Sequence, residues 1–275
     1  MRLGVSTSFI DGENVSADTW IKRHLDQKCE TAVFPLNCYE SEEKVMEYAK
    51  AASDHDVTIA EVGIWRNALA KDADERKAVF EYSVGQLLLA DKVKARCCVN
   101  VAGTPHGPRW DGGYRNNFDS ETRKEIVKSI REIIDEAKPV NTKFTLEPMP
   151  WMVPTGPDDY LRLLDEVERD EFAVHLDVVN MVTSPDRYFY LEEFLEECFD
   201  KLGDKIMSCH LKDIKLLEDF TFQLRECGCG EGILNVAHYA KLATACDADM
   251  PMIIEHLSSY EDYIQSMAYV RKLLL

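Results

Sequence analysis

The feature that most constrains this chain is an alternation repeated along its length: short β-branched runs, each followed by a longer stretch with helical spacing. Eight such units can be counted, with strands expected at Leu3 to Ser8, Thr31 to Leu36, Val57 to Gly63, Arg96 to Val101, Lys143 to Glu147, Phe172 to Asp177, Ile206 to Leu211 and Met252 to Glu255. Alternation of this kind predicts βα units around a parallel sheet. Eight units in 275 residues fit a (β/α)8 TIM barrel, which typically needs about 250. No Pro/Gly/Ser-rich linker divides the sequence, so residues 1–275 are expected to form one barrel domain. The structural alternative, an open doubly wound sheet, lacks its usual glycine-rich fingerprint after the first strand.

Two helices are legible in detail. After the fourth strand, Asp119 or Ser120 can cap a helix whose Ile126, Ile130, Ile133, Ile134 and Ala137 share one face. At the end of the chain, Tyr263, Met267, Val270 and Leu274 recur at three- and four-residue steps, as a helix packed on the outside of a barrel requires. The longest irregular segments run from Ala102 to Phe118 and from Leu216 to Leu234. Both follow strands, where active-site loops belong.

In such a barrel, chemistry gathers at the C-terminal strand ends, where loops leave a concave mouth above a packed interior. Four consecutive strands finish with a potential metal ligand: Glu147, Asp177, His210 and Glu255. Three carboxylates aimed at one point would repel strongly unless a cation neutralised them. Oxygen donors plus one imidazole suit a hard or borderline divalent ion. One ion per chain is expected, with Mn2+ the first choice and Mg2+, Co2+ or Zn2+ as alternatives. An ion holding two vicinal oxygens of a hydroxy-ketone would acidify the C–H between them and stabilise an enediolate. Glu147 and Glu255, on opposite sides of the substrate, would then serve as catalytic base and acid.

Around the four strand ends, Leu146-Glu147-Pro148, His175-Leu176-Asp177, His210-Leu211-Lys212-Asp213 followed by Gly230-Glu231-Gly232, and Ile254-Glu255 resemble the xylose-isomerase-like barrels of sugar isomerases and epimerases. That family includes ketose 3-epimerases, hydroxypyruvate isomerases and inosose dehydratases, and the resemblance covers nearly the whole chain. It implies that Glu147, Asp177, His210 and Glu255 bind the metal and that the two glutamates are acid and base. Ketose 3-epimerases also carry a Glu six residues after the first ligand, a His three after the Asp and an Arg six after the ligand His; Val153, Asn180 and Leu216 stand there instead.

The substrate-binding candidates are Trp65 and Trp151, whose rings could stack on a sugar, His106 and Trp110 in a lid after strand four, and Asn180 and Lys212 beside the ligands. Ordinary roles compete for each, because aromatic residues also plug barrel mouths and loop histidines are commonly surface residues. Cys227-Gly228-Cys229 lacks the spacing of a zinc knuckle and reads as incidental thiols. His256 follows a ligand and by strand alternation should point away from it.

Composition narrows the partners. With 32 Lys and Arg against 50 Asp and Glu, a net charge of −18 repels nucleic-acid phosphates. An abasic-site endonuclease, a barrel with a trinuclear zinc site and added histidines, is further disfavoured because strands two and three end near Asn37 and Gly63. Nine scattered cysteines suggest reduced core thiols. With no signal-like N-terminus and no apolar run long enough for a membrane span, a soluble cytoplasmic protein is expected. The expected partner is a small sugar or polyol, and the absence of a clear phosphate-cradling glycine loop favours an unphosphorylated one; a homo-oligomer is compatible. Competing functions are an inosose-type dehydratase and a non-catalytic sugar-binding barrel or subunit.

Overall fold

The computed structural model describes residues 1–6, 9–12 and 14–274. The first half of the chain runs β1 (Arg2–Val5), α1 (Ala17–Asp26), β2 (Thr31–Val33), α2 (Glu42–Asp54), β3 (Thr58–Gly63), α3 (Ala73–Val93), β4 (Cys97–Asn100) and α4 (Ser120–Ala137). The second half runs β5 (Lys143–Leu146), α5 (Pro157–Val167), β6 (Phe172–Leu176), α6 (Pro185–Phe189), α7 (Leu191–Leu202), β7 (Ile206–Leu211), β8 (Asp213–Leu216), β9 (Leu224–Cys227), α8 (Val236–Cys246), β10 (Pro251–Ile254) and α9 (Tyr260–Leu274).

Eight strands form one parallel sheet in the order β1-β10-β7-β6-β5-β4-β3-β2, a nearly closed TIM barrel. The two outer strands come together where the Glu30 N–H donates to the Leu3 carbonyl at 2.9 Å. Gly4 permits that approach, since a Cβ there would collide with the Thr31 carbonyl oxygen. Apolar helix faces cover the outside. Asp119 caps α4 through the Thr122 N–H, and Ile126, Ile130, Ile133, Ile134 and Ala137 are all buried, as the spacing predicts. In α9, Tyr263, Met267 and Val270 are buried, whereas Leu274, in its last turn, is exposed.

The strands begin and end within a few residues of the predicted runs; Thr7 and Ser8, assigned to the first strand, lie outside the described residues. The larger difference is in the segment from Leu216 to Leu234, expected to be irregular. It contributes to an antiparallel hairpin, β8 against β9, with Asp213 opposite Cys227 and Leu216 opposite Leu224. Asp213 pins this excursion back to the barrel, its carboxylate accepting the N–H groups of Ile214, Gly230, Gly232 and Leu234 at 2.8–3.0 Å. Its place in the predicted motif is therefore used for loop architecture. Among the described residues, no helix is long and apolar enough to cross a membrane.

Candidate metal centre

Strand alternation and strand termination together bring the four expected ligands to one point. Pro148 cannot extend a ladder, so β5 stops and leaves Glu147 at the mouth, its N–H bonded to the Asn100 carbonyl at 2.8 Å. Asp177 follows the last residue of β6, His210 lies on β7 in register with Ile253, and Glu255 follows β10. Two buried tyrosines brace these ends: Tyr160 donates to the Leu146 carbonyl at 2.6 Å and Tyr239 to the His210 carbonyl at 3.2 Å. Ligand atoms of Glu147, Asp177, His210 and Glu255 all lie within 4.8 Å of one another, and all four residues are buried.

His210 Nδ1 is the hub. It lies 3.0 Å from Glu255 Oε2, 3.3 Å from Glu147 Oε1 and 3.9 Å from Asp177 Oδ2. Lys212, two residues on and pointing the same way, brings a buried ammonium 2.7 Å from Asp177 Oδ2, 2.7 Å from Glu255 Oε1 and 3.0 Å from Glu226 Oε1. Asp177 Oδ2 accepts no hydrogen bond despite that proximity, so its pairing with Lys212 is electrostatic. With His210 neutral, as a metal ligand must be, the carboxylates of Glu147, Asp177 and Glu255 against the Lys212 ammonium leave two negative charges in a buried mouth. A single divalent ion would neutralise them, and the oxygen-rich donor set with one imidazole fits such an ion.

The surroundings divide the two glutamates. Burial pushes Glu147 up to about 7, with the nearby Glu255 charge adding to burial and His210 opposing it. Glu255 is also buried, yet His210 and Lys212 outweigh that and hold it well below the usual carboxylate range. Burial works against a charged His210, but Glu255, Glu147 and Glu61 lift its pKa well above the ordinary value. A metal ion requires these groups deprotonated, so binding should release protons. With Glu147 titrating at about 7, Mn2+ affinity should rise at least about ten-fold from pH 6 to pH 8. Calorimetry in buffers of different ionisation enthalpy would read both affinity and proton release; an affinity flat across that range would contradict the assignment.

The remaining candidates are placed as follows. Asn180 sits among the ligands: its side-chain amide donates to Glu147 Oε1 and the Pro148 carbonyl, each at 3.0 Å, and its backbone N–H donates to Asp177 Oδ1 at 3.0 Å. Trp65, with a left-handed backbone, and Trp151 are partly exposed. Trp151 Nε1 donates to the Asp111 carbonyl at 2.7 Å, tying it to the segment from Ala102 to Phe118. In that segment Trp110 is half-buried, and the His106 ring contacts Thr122 Oγ1 on α4 at 3.2 Å. Val153 and Leu216, where ketose 3-epimerases carry Glu and Arg, are apolar and at least half-buried.

Three polar residues near the centre were not foreseen in that role. Glu226 reaches Lys212 only because β9 exists; the alternating Phe220-Thr221-Phe222-Gln223-Leu224 run was its signal. Glu61, within β3, lies under His210; a carboxylate inside an otherwise apolar strand was the clue. His256 was expected to face away, but its φ of 55° breaks strand alternation and turns Nδ1 to within 3.1 Å of Lys212 Nζ.

Residues 34–273 match the family model described as xylose isomerase-like TIM barrel. The chain belongs to this family. Solved structures with the same fold include the probable 3-DHS dehydratase AsbF of Bacillus anthracis, at TM-score 0.75 and 17% identity over 100% of this chain and 99% of that one. D-Psicose 3-epimerase of Clostridium cellulolyticum H10, solved with D-tagatose, superposes at TM-score 0.71 and 13% identity over 100% and 99% of the two chains. A xylose isomerase-like TIM barrel protein from Mycobacterium smegmatis, solved in complex with magnesium, gives TM-score 0.69 and 16% identity over 95% and 90%. At these identities the likeness concerns the fold. No curated protein matches this xylose isomerase-like chain by sequence.

Proposed function

We propose that this protein is a divalent-metal-dependent isomerase or epimerase of a small sugar or polyol, in which Glu147 and Glu255 move the proton. The observation that carries the reading is the buried arrangement of three carboxylates, one imidazole and one ammonium, whose charge a single divalent ion balances. Glu147, Asp177, His210 and Glu255 would hold the ion, with Mn2+ the preferred metal. A bound ion supplies Lewis acidity toward two vicinal substrate oxygens, which makes the C–H between them acidic.

The chain's own residues supply the remainder. Glu147 and Glu255 come from strands separated by β6 and β7, so they can face a substrate from two sides, one accepting a proton and the other returning it. Asn180 holds Glu147 in place through its amide, and Lys212 fixes one oxygen each of Asp177 and Glu255. Trp65 and Trp151 offer partly exposed apolar faces for a sugar ring, and the loop carrying His106 and Trp110 would form the lid. A dehydratase reading draws on a separate observation, the Lys212, Glu226 and His256 cluster beside the ligands, which could protonate a departing hydroxyl. The structural neighbours named above include both an epimerase and a probable dehydratase.

The experiment is to load the protein with Mn2+ and incubate it with a panel of unphosphorylated ketoses, aldoses and inososes in D2O, following the proton next to the carbonyl by NMR. Deuterium entering a substrate that changes configuration or isomer supports the proposal. Loss of water with formation of an unsaturated ketone would assign the dehydratase. Stoichiometric metal with no exchange on any substrate would favour a sugar-binding barrel without turnover. His210→Ala should lower Mn2+ affinity at least about ten-fold, and elemental analysis should find no stoichiometric metal once all four ligands are alanine. Unchanged stoichiometry in that quadruple variant would remove the site.

A further inference from the structure

We infer that Glu61, one layer below the proposed metal, is a positioning residue that holds His210 in the one tautomer able to offer Nδ1 to an ion; this inference rests on the metal reading above. Neutral imidazole carries a single N–H. On Nδ1 that hydrogen would occupy the lone pair that faces Glu147, Asp177 and Glu255; on Nε2 it points down into the barrel. Whatever Nε2 meets there decides which nitrogen is free above.

Nε2 meets Glu61, 3.5 Å from its Oε1 and 3.4 Å from its Oε2. The carboxylates around Nδ1 also accept, but once an ion takes the Nδ1 lone pair the single remaining hydrogen must sit on Nε2, where the Glu61 carboxylate accepts it and adds basicity to Nδ1. His175 closes the arrangement from the side. Its ring stands edge-on to that of His210, centroids 4.1 Å apart at 79°, and its Nδ1 lies 3.6 Å from Glu61 Oε2. His175, Glu61 and His210 are all buried.

The polar atoms left over support the same assignment. Glu61 Oε2 and both ring nitrogens of His175 make no hydrogen bond. A buried carboxylate this poorly satisfied is costly to keep. Among the described residues its one hydrogen-bond contact with a side chain is with the proposed ligand, which gives it a reason to be present. Strand geometry explains the alignment: His175 stands two residues before Asp177 on β6, so the ligand and the residue below it share one inward face.

The test compares metal-free wild type with Glu61→Gln, titrated with Mn2+ and followed by the EPR signal of the free ion. The introduced amide can turn either its oxygen or its NH2 toward Nε2 and carries no charge. Mn2+ affinity should therefore fall about 10- to 100-fold, and the visible absorption of the Co2+-loaded variant should shift as the imidazole reorients. Because the variant could fold poorly, wild type loaded with Zn2+ gives an independent reading: long-range 1H–15N spectra should show His210 bound through Nδ1 with its hydrogen on Nε2. An affinity within two-fold of wild type with an unchanged Co2+ spectrum would overturn the inference. So would ligation through Nε2, or two ions per chain of which Glu61→Gln loses one, which would make Glu61 a ligand in its own right. Failure of wild type to bind Mn2+ at all would instead sink the metal reading, so the two failures are distinguishable.

Discussion

Replacing Lys212 by methionine should destabilise the metal-free protein by about 3–5 kcal/mol, the usual range for removing one partner of a buried ion pair. The side chain is fully buried, with Asp177 Oδ2 and Glu255 Oε1 each 2.7 Å from its ammonium. Those two carboxylates and Glu226 outweigh burial and raise the Lys212 pKa well above the ordinary value, so it is charged at neutral pH. Methionine retains much of the length and apolar stem but leaves Glu147, Asp177 and Glu255 with only His210, and His256 beside Glu255, as basic neighbours. The sign of the metal effect follows from the same charges. Saturation at about a hundred times Kd adds about 2.7 kcal/mol to any protein that binds only when folded. At one fixed Mn2+ concentration the Lys212→Met variant should gain more than wild type, because the competing ammonium is gone. Urea unfolding with EDTA and with Mn2+ measures both effects. A metal-free variant within about 1 kcal/mol of wild type, or one that gains less from Mn2+, would show that Lys212 is not the internal counter-ion.

The barrel was legible because its signal repeats: each strand is a short apolar run, each outer helix an apolar stripe, and one misplaced boundary does not change the topology. That the four candidate ligands would meet at one point was legible for a related reason. Strand ends are the places where a charged residue interrupts an apolar run, as at Glu147 before Pro148 and Asp177 after Leu176. Residues that approach the site by other routes left weaker traces. Glu226 depends on a hairpin whose closure relies on Asp213 gathering four N–H groups, a tertiary event with no periodicity of its own. His256 reaches Lys212 through a left-handed backbone that strand alternation does not anticipate. Glu61 lies one layer down, and only the register of β3 within the nearly closed sheet places it under His210. For Lys212 the sequence left open a substrate contact or an ion pair beside the candidate ligands, and the distances show the ion pair, fully buried.

Glu147→Gln and Glu255→Gln should each lower turnover by about 10²-fold or more, the ordinary scale for loss of a general acid or base. Both residues are also proposed ligands, so metal occupancy must be measured on the same samples and rates compared only at full loading. Turnover alone would not separate a proton-transfer role from a distorted site, but isotope exchange can. If each glutamate serves one face of the substrate, a single variant retains a working base toward one configuration. That base can remove the proton and return a deuteron to the same face in D2O, giving exchange without net conversion. Glu147→Gln should therefore wash deuterium into one epimer and Glu255→Gln into the other, while neither interconverts them. The environments agree with a division of labour: the charges around Glu255 keep it ionised, and burial leaves Glu147 titrating at about 7. Exchange into both epimers by each variant would mean that one base serves both faces. A substrate that passes its label wholly to the neighbouring carbon would indicate a hydride shift, in which neither glutamate touches the moving hydrogen. Metal-replete Gln variants near full activity, combined with such transfer, would end the two-glutamate mechanism and leave the metal centre intact.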